Sequence, residues 1–121
     1  MGYFHDWAPG GGVEVTRGDV IWAVTGERVQ VIRAEMAAGS EFPLHVHPHE
    51  QIIVVLQGAL QFTVGGQERV VRPGGVIHAP PGVRHGGRVL GDETVVTIEA
   101  LQPPRLDFTG HGGGVDMENP Q

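Results

Sequence analysis

Apolar and polar residues alternate with a period of two along most of this chain, and no stretch keeps the three-to-four spacing of an amphipathic helix. The clearest case is Ala59 to Val64, where Leu60, Phe62 and Val64 point one way and Gln61 and Thr63 the other. Gly65-Gly66 then makes a two-residue hairpin, and Gln67 to Arg72 returns. Val13 to Thr16 reads as a short edge strand. Val20 to Thr25 is a strand closed by a turn at Gly26-Glu27, and Arg28 to Met36 is the next. The apolar parity of Arg28–Met36 changes between Val31 and Ile32, which predicts a bulge or burial of both faces. Ile32, Ala34 and Met36 then share one face. Gln51 to Gln57 holds five consecutive aliphatics, so both of its faces need cover. Ile53 and Val55 are expected inside with Gln51; Ile52, Val54 and Leu56 face outward, where a second protomer is the expected cover. Further strands are predicted over Val76 to Ala79, His85 to Leu90 and Glu93 to Leu101, with Pro103-Pro104 ending the last. About ten short strands with these turn signals predict an all-β, double-sheet jelly roll. Residues 1–12 are expected to be an arm anchored by Trp7, 13–108 the barrel, and 109–121 a flexible tail with His111 on its surface.

Composition narrows the chemistry. The chain has 121 residues, enough for one core. Its net charge of -6 and pI near 5.5 leave no basic footprint for nucleic acid or anionic lipid. No apolar run is long enough to cross a bilayer, and the first residues lack the charged and apolar regions of a signal peptide, so a cytoplasmic protein is expected. There is no cysteine and no lysine, which removes thiolate and Schiff-base chemistry. The only serine, Ser40, stands in a loop without a nucleophile elbow. What is left is His, Asp, Glu, Arg, Tyr3 or a metal.

Three of the seven histidines crowd into five positions, His45-Val46-His47-Pro48-His49, followed by Glu50-Gln51. On an extended strand His45 and His47 send their rings from one face, half of a first-row metal site. Gln51 can add a carbonyl oxygen. A distant fourth donor is His85, after the Pro80-Pro81-Gly82 turn. Three neutral imidazoles and an amide leave the full double charge on a divalent ion, which sharpens it as a Lewis acid. Zn, Ni, Fe, Mn and Co all suit such N/O donors. His49 has donor parity, but Pro48 breaks the strand, so it is read as a rim residue. Glu50 is expected to face solvent or to support a ligand histidine. His78 is read mainly as a hydrogen-bonded structural residue near the pocket rim. Glu99, among apolar neighbours, is either a carboxylate inside the barrel or a solvated one outside. Arg105 either grips a substrate carboxylate or forms an ion pair with Asp107 or Glu99.

Gly39 with His45, His47, Gln51 and Gly58, and Gly74 with Pro80, Gly82 and His85, resemble the two motifs of the cupin superfamily. Gln51 stands where a Glu is usual, and Val89 where an Asn is usual. The resemblance implies a double-stranded β-helix barrel holding one divalent metal. The run His45 to Gln51, Pro80-Pro81 and the closing Pro103 to Phe108 segment are similar to the KdgF-type pectin-degradation cupins. That likeness implies linearisation of 4,5-unsaturated uronates, with His45, His47, Gln51 and His85 on the metal and Arg105 on the substrate. It puts Glu99 where a catalytic Asp is usual, and Leu101 at a substrate-contacting position where an aromatic is common. The alternatives are a cupin dioxygenase using Fe(II) or another redox metal, and a small-molecule-binding cupin without catalysis.

Overall fold

A computed structural model describes residues 2–108; the expected tail and His111 lie outside them. Ten strands follow in chain order: β1 (Val13–Thr16), β2 (Asp19–Thr25), β3 (Gln30–Met36), β4 (Glu41–His45), β5 (Glu50–Gln57), β6 (Ala59–Val64), β7 (Gln67–Val71), β8 (Val76–Ala79), β9 (His85–Leu90) and β10 (Val95–Gln102). A 3-10 turn, Leu106–Phe108, follows β10. The strands form two antiparallel sheets, one ordered β1-β2-β3-β10-β5-β8 and the other β4-β9-β6-β7. This is the double-sheet jelly roll that the alternation predicts, in the double-stranded β-helix form that the family resemblance implies.

Period-two patterning explains which side chains meet. Ile32, Ala34 and Met36 of β3, Ile53 and Val55 of β5, and Leu60 and Phe62 of β6 are buried between the sheets. The Gly65-Gly66 hairpin works because both residues take positive φ, 55° and 82°, as a primed two-residue turn requires.

Strand β3 carries no bulge. It runs in continuous register against both β2 and β10, from Gln30 to Met36. Its parity is regular, with residues 30, 32, 34 and 36 all buried. The apparent parity break came from Gln30, an inward residue that is polar. Val29 and Val31 belong to the outer side, where Val29 is 48% exposed. Residues 5–9 lie along the outer side of β2 and β3, and the Trp22 indole Nε1 donates to the Ala8 carbonyl at 3.0 Å. Trp7 is half-buried there.

The outer face of β5 is apolar but uncovered in one chain. Ile52 is 41%, Leu56 48% and the neighbouring Val76 of β8 62% exposed.

Candidate metal centre

The two sheets bring the histidines together. His45 ends β4 and His85 begins β9, and the two are direct cross-strand partners, which sets their side chains side by side. The β4–β9 register shifts between Phe42 and His45, where Pro43 cannot donate to the ladder. His47 is not on the strand with His45, because β4 stops at His45. It sits in the link that crosses to β5, and its carbonyl accepts the Gly82 N–H at 3.0 Å. The Pro80-Pro81-Gly82 turn thus fixes the backbone of His47. The result is that His45, His47 and His85 bring ring nitrogens within 4.8 Å of one another.

Each ring is oriented by a carbonyl. His45 Nδ1 contacts the Pro43 oxygen at 2.9 Å, His47 Nδ1 that of His49 at 3.1 Å, and His85 Nδ1 that of Val83 at 2.9 Å. A carbonyl only accepts, so each Nδ1 carries a proton, and in the neutral form of each ring Nε2 keeps a lone pair. His85 Nε2 is buried with no hydrogen-bond partner. Burial pushes the His85 imidazole below its usual range, and the neighbouring His45 and His47 add to this; the Val83 carbonyl opposes it. A buried neutral ring with an orphaned lone pair is the state a metal ligand requires.

Gln51 faces this trio from β5. Its Oε1 lies 3.1 Å from His47 Nε2, and its Nε2 donates to Glu99 Oε1 at 2.5 Å. With His47 neutral and protonated on Nδ1, two acceptors face each other across the first contact, an arrangement that a shared cation relieves. The residues present fit a divalent ion held by three imidazoles and one amide oxygen.

Glu99 points inward and is buried on β10. Besides Gln51 it takes a hydrogen bond from Thr97 Oγ1 at 2.8 Å. Burial drives its carboxyl above the usual range; the Thr97 and Gln51 hydrogen bonds and the Arg105 charge pull the other way. Arg105 and Glu99 line one cavity of about 200 Å³ together with His45, Gln51 and His85. Its inner wall is apolar, built from Ile32, Phe42, Ile53 and Phe62 among others. Arg105 also makes the ion pair with Asp107, through Nε to Oδ1 at 3.0 Å and through Nη2 to Oδ2.

The matched family model is that of the cupin domain, over residues 32–101. This chain belongs to the cupin family. Among solved structures, the cupin resembles KdgF from Halomonas sp., with 27% identity, a TM-score of 0.73, and 86% of this chain covering 91% of that one. An RmlC-like cupin from Shewanella frigidimarina matches at 25% identity and TM-score 0.73, over 79% of this chain and 86% of that one. A curated relative is quercetin 2,3-dioxygenase of Bacillus subtilis, 33% identical over 72 residues, 58% of this chain. The match covers only 21% of that protein's length.

Two other residues, His49 and Leu101, are placed differently from the sequence reading. His49 is not at a rim: it is 2% exposed, set edge-on to His47 with ring centroids 5.1 Å apart. Both of its ring nitrogens are buried, and burial pushes its pKa down, followed by the charges of His47 and Arg105, with Asp107 and the Pro104 backbone opposing. Glu50 faces solvent and His78 is hydrogen-bonded, as expected: they pair with each other at 2.7 Å on the outer face, His78 on β8 beside Ile52 of β5, away from the pocket rim. Leu101 is 1% exposed within the core, so it has no surface to offer a ligand. Sequence reasoning set Thr97 on the parity of Glu99 but gave it no role, and passed over Gln30. For Gln30 the signal was present: a polar residue in phase with Ile32, Ala34 and Met36.

Proposed function

We propose that this cupin is a metal-dependent enzyme acting by proton transfer on a small carboxylic acid. The reaction we favour is ring opening of 4,5-unsaturated uronates, on the likeness to KdgF. The observation that carries the reading is the sequence of contacts from His47 to Gln51 to Glu99, which joins a metal-ready trio to a buried carboxyl. His45, His47, His85 and Gln51 would hold the ion, which supplies Lewis-acid polarisation of a substrate oxygen.

The chain's own groups then have separate tasks. Arg105 fixes the substrate carboxylate, its guanidinium braced by Asp107. Glu99, held in one orientation by Thr97 and Gln51, carries the proton. Its raised affinity for that proton suits a group that must give it up to carbon near neutral pH. In ring opening the bond between C1 and the ring oxygen breaks and the anomeric hydroxyl loses its proton to become the C1 carbonyl. The C5 enol oxygen becomes a ketone as C4 gains a proton, so the sum is an isomerisation with no co-reactant. Glu99 delivers the proton to C4. The apolar inner wall surrounds Glu99, which is only 8% exposed.

The test is loss of the ultraviolet absorbance of the unsaturated acid. Glu99→Gln is expected to lower kcat by about 10²–10⁴, and Arg105→Ala to raise KM chiefly. Wild-type protein with metal bound that leaves unsaturated uronates untouched overturns the substrate assignment. A second reading is a cupin dioxygenase acting on a compact aromatic, supported by the dioxygenase relative and the apolar cavity wall. Oxygen uptake measured with an electrode separates the two. We further read the exposed Ile52, Leu56 and Val76 face as the seam of a homodimer of this cytoplasmic protein.

A further inference from the structure

Arg105 lies beyond the last strand, in a segment with no ladder of its own, yet it lines the same cavity as Glu99 and His85. Something must hold that backbone. Gln30, the first residue of β3, is 0% exposed, and its side chain reaches 75 positions along the chain. Gln30 Nε2 donates to the Arg105 carbonyl at 3.1 Å, and the Arg105 N–H donates to Gln30 Oε1 at 3.1 Å. The amide thus pairs with one residue's N–H and C=O together, as a neighbouring strand would. Its second N–H goes to Thr25 Oγ1 at 3.0 Å. With both donors used, a flipped amide would set Oε1 against the Arg105 carbonyl, so the orientation is fixed.

We infer that Gln30 is the positioning residue for Arg105: it clamps the backbone at 105 while Asp107 braces the guanidinium, so that the positive charge is presented to the cavity. This rests on the reading of Arg105 as the carboxylate grip. An apolar side chain of similar volume at position 30 would fill the same buried space, whereas only an amide pairs with both backbone groups of Arg105. An interior amide matched to both backbone groups of one residue serves placement instead. Small misplacements of a binding group are costly.

The experiment uses the full chain as purified and acetate as a bare carboxylate probe, with affinity measured by calorimetry. Exchange of the Arg105 amide proton is followed in parallel. Gln30→Met keeps the volume and removes both clamp contacts. It is expected to speed that exchange by about tenfold or more and to weaken acetate binding by about fivefold or more. Thr25→Val removes only the third contact of Gln30 and is expected to leave acetate affinity at the wild-type value. Arg105→Ala should abolish acetate binding at this site. If Arg105→Ala binds acetate as well as wild type, the grip assignment fails and the inference falls with it. If Arg105→Ala loses acetate but Gln30→Met keeps it, or if the Arg105 amide exchanges unchanged in Gln30→Met, the inference alone is overturned. Should Gln30→Met not fold, Gln30→Leu is used with the same outcomes. Should neither fold, a purely structural role is the result and the inference is rejected.

Discussion

Gly86→Ala tests whether the metal centre depends on how closely two strands approach. Gly86 follows His85 on β9, opposite the irregular stretch of β4. A Cβ there would stand 2.5 Å from the Phe42 carbonyl oxygen, 2.9 Å from Leu44 N and 2.9 Å from the Pro43 carbonyl carbon. All three are backbone atoms, so no side chain can swing aside. Relief needs β4 to move away from β9 by roughly half an ångström or more, and β4 carries His45. Overpacking of this kind costs about 1–3 kcal/mol, or about 4–12 °C in Tm for a chain of this size. Metal–ligand distances tolerate only about 0.2 Å, so metal affinity should fall by about 10–100-fold. Metal titration of apoprotein, followed by calorimetry, measures the affinity. Val95→Ala is the control, since it opens a core position on β10 outside the metal trio and lowers stability without separating His45 from His85. A folded Gly86→Ala protein that binds metal as tightly as wild type would refute the reasoning.

Glu99→Gln should make the metal-free protein more stable at neutral pH, even as it removes activity. Burial raises the folded-state value of Glu99 above that of the unfolded chain, so its favourable contribution is complete at acidic pH and is lost as pH rises through the raised value. The gain over wild type should vanish at acidic pH and reach ~1.4 kcal/mol, about 4–7 °C in Tm, for each tenfold preference for the protonated form; equal pH profiles of the two proteins in thermal melts would count against a buried carboxyl. Stripping metal with a chelator should lower Tm by roughly 10 °C, because a ligand at about a hundred times its dissociation constant adds ~2.7 kcal/mol. Glu substituted at both Ile52 and Leu56 should turn a dimer into a monomer in light scattering, and a wild-type protein that is already monomeric at micromolar concentration would remove the proposed seam.

The fold was legible because the inward sets of β6 and β10 are in phase in the sequence and the glycine turns fall where φ is positive. The convergence of the three histidines was legible too, but for a reason only partly right. His45 and His47 converge with His85 through a cross-strand pair and a turn that locks the link, not through one strand face. Gln30 shows the limit of reading by parity. Hydrophobic patterning cannot tell an inward polar residue from a register slip, because both break the same alternation, and the partner that satisfies Gln30 is 75 residues away. His49 was misplaced for a related reason. Pro48 interrupts the strand, yet the link turns back under His47 and buries the ring. Leu101 and Glu99 share one parity, and only packing along β10 separates a core side chain from one that lines the cavity.

The central claim is that His45, His47 and His85, with Gln51, hold one divalent ion. Elemental analysis of purified wild-type protein beside the His47→Ala/His85→Ala double variant tests it most directly. The account predicts close to one metal per chain in the wild type and none above background in the folded variant. Equal metal content in the two proteins would contradict it.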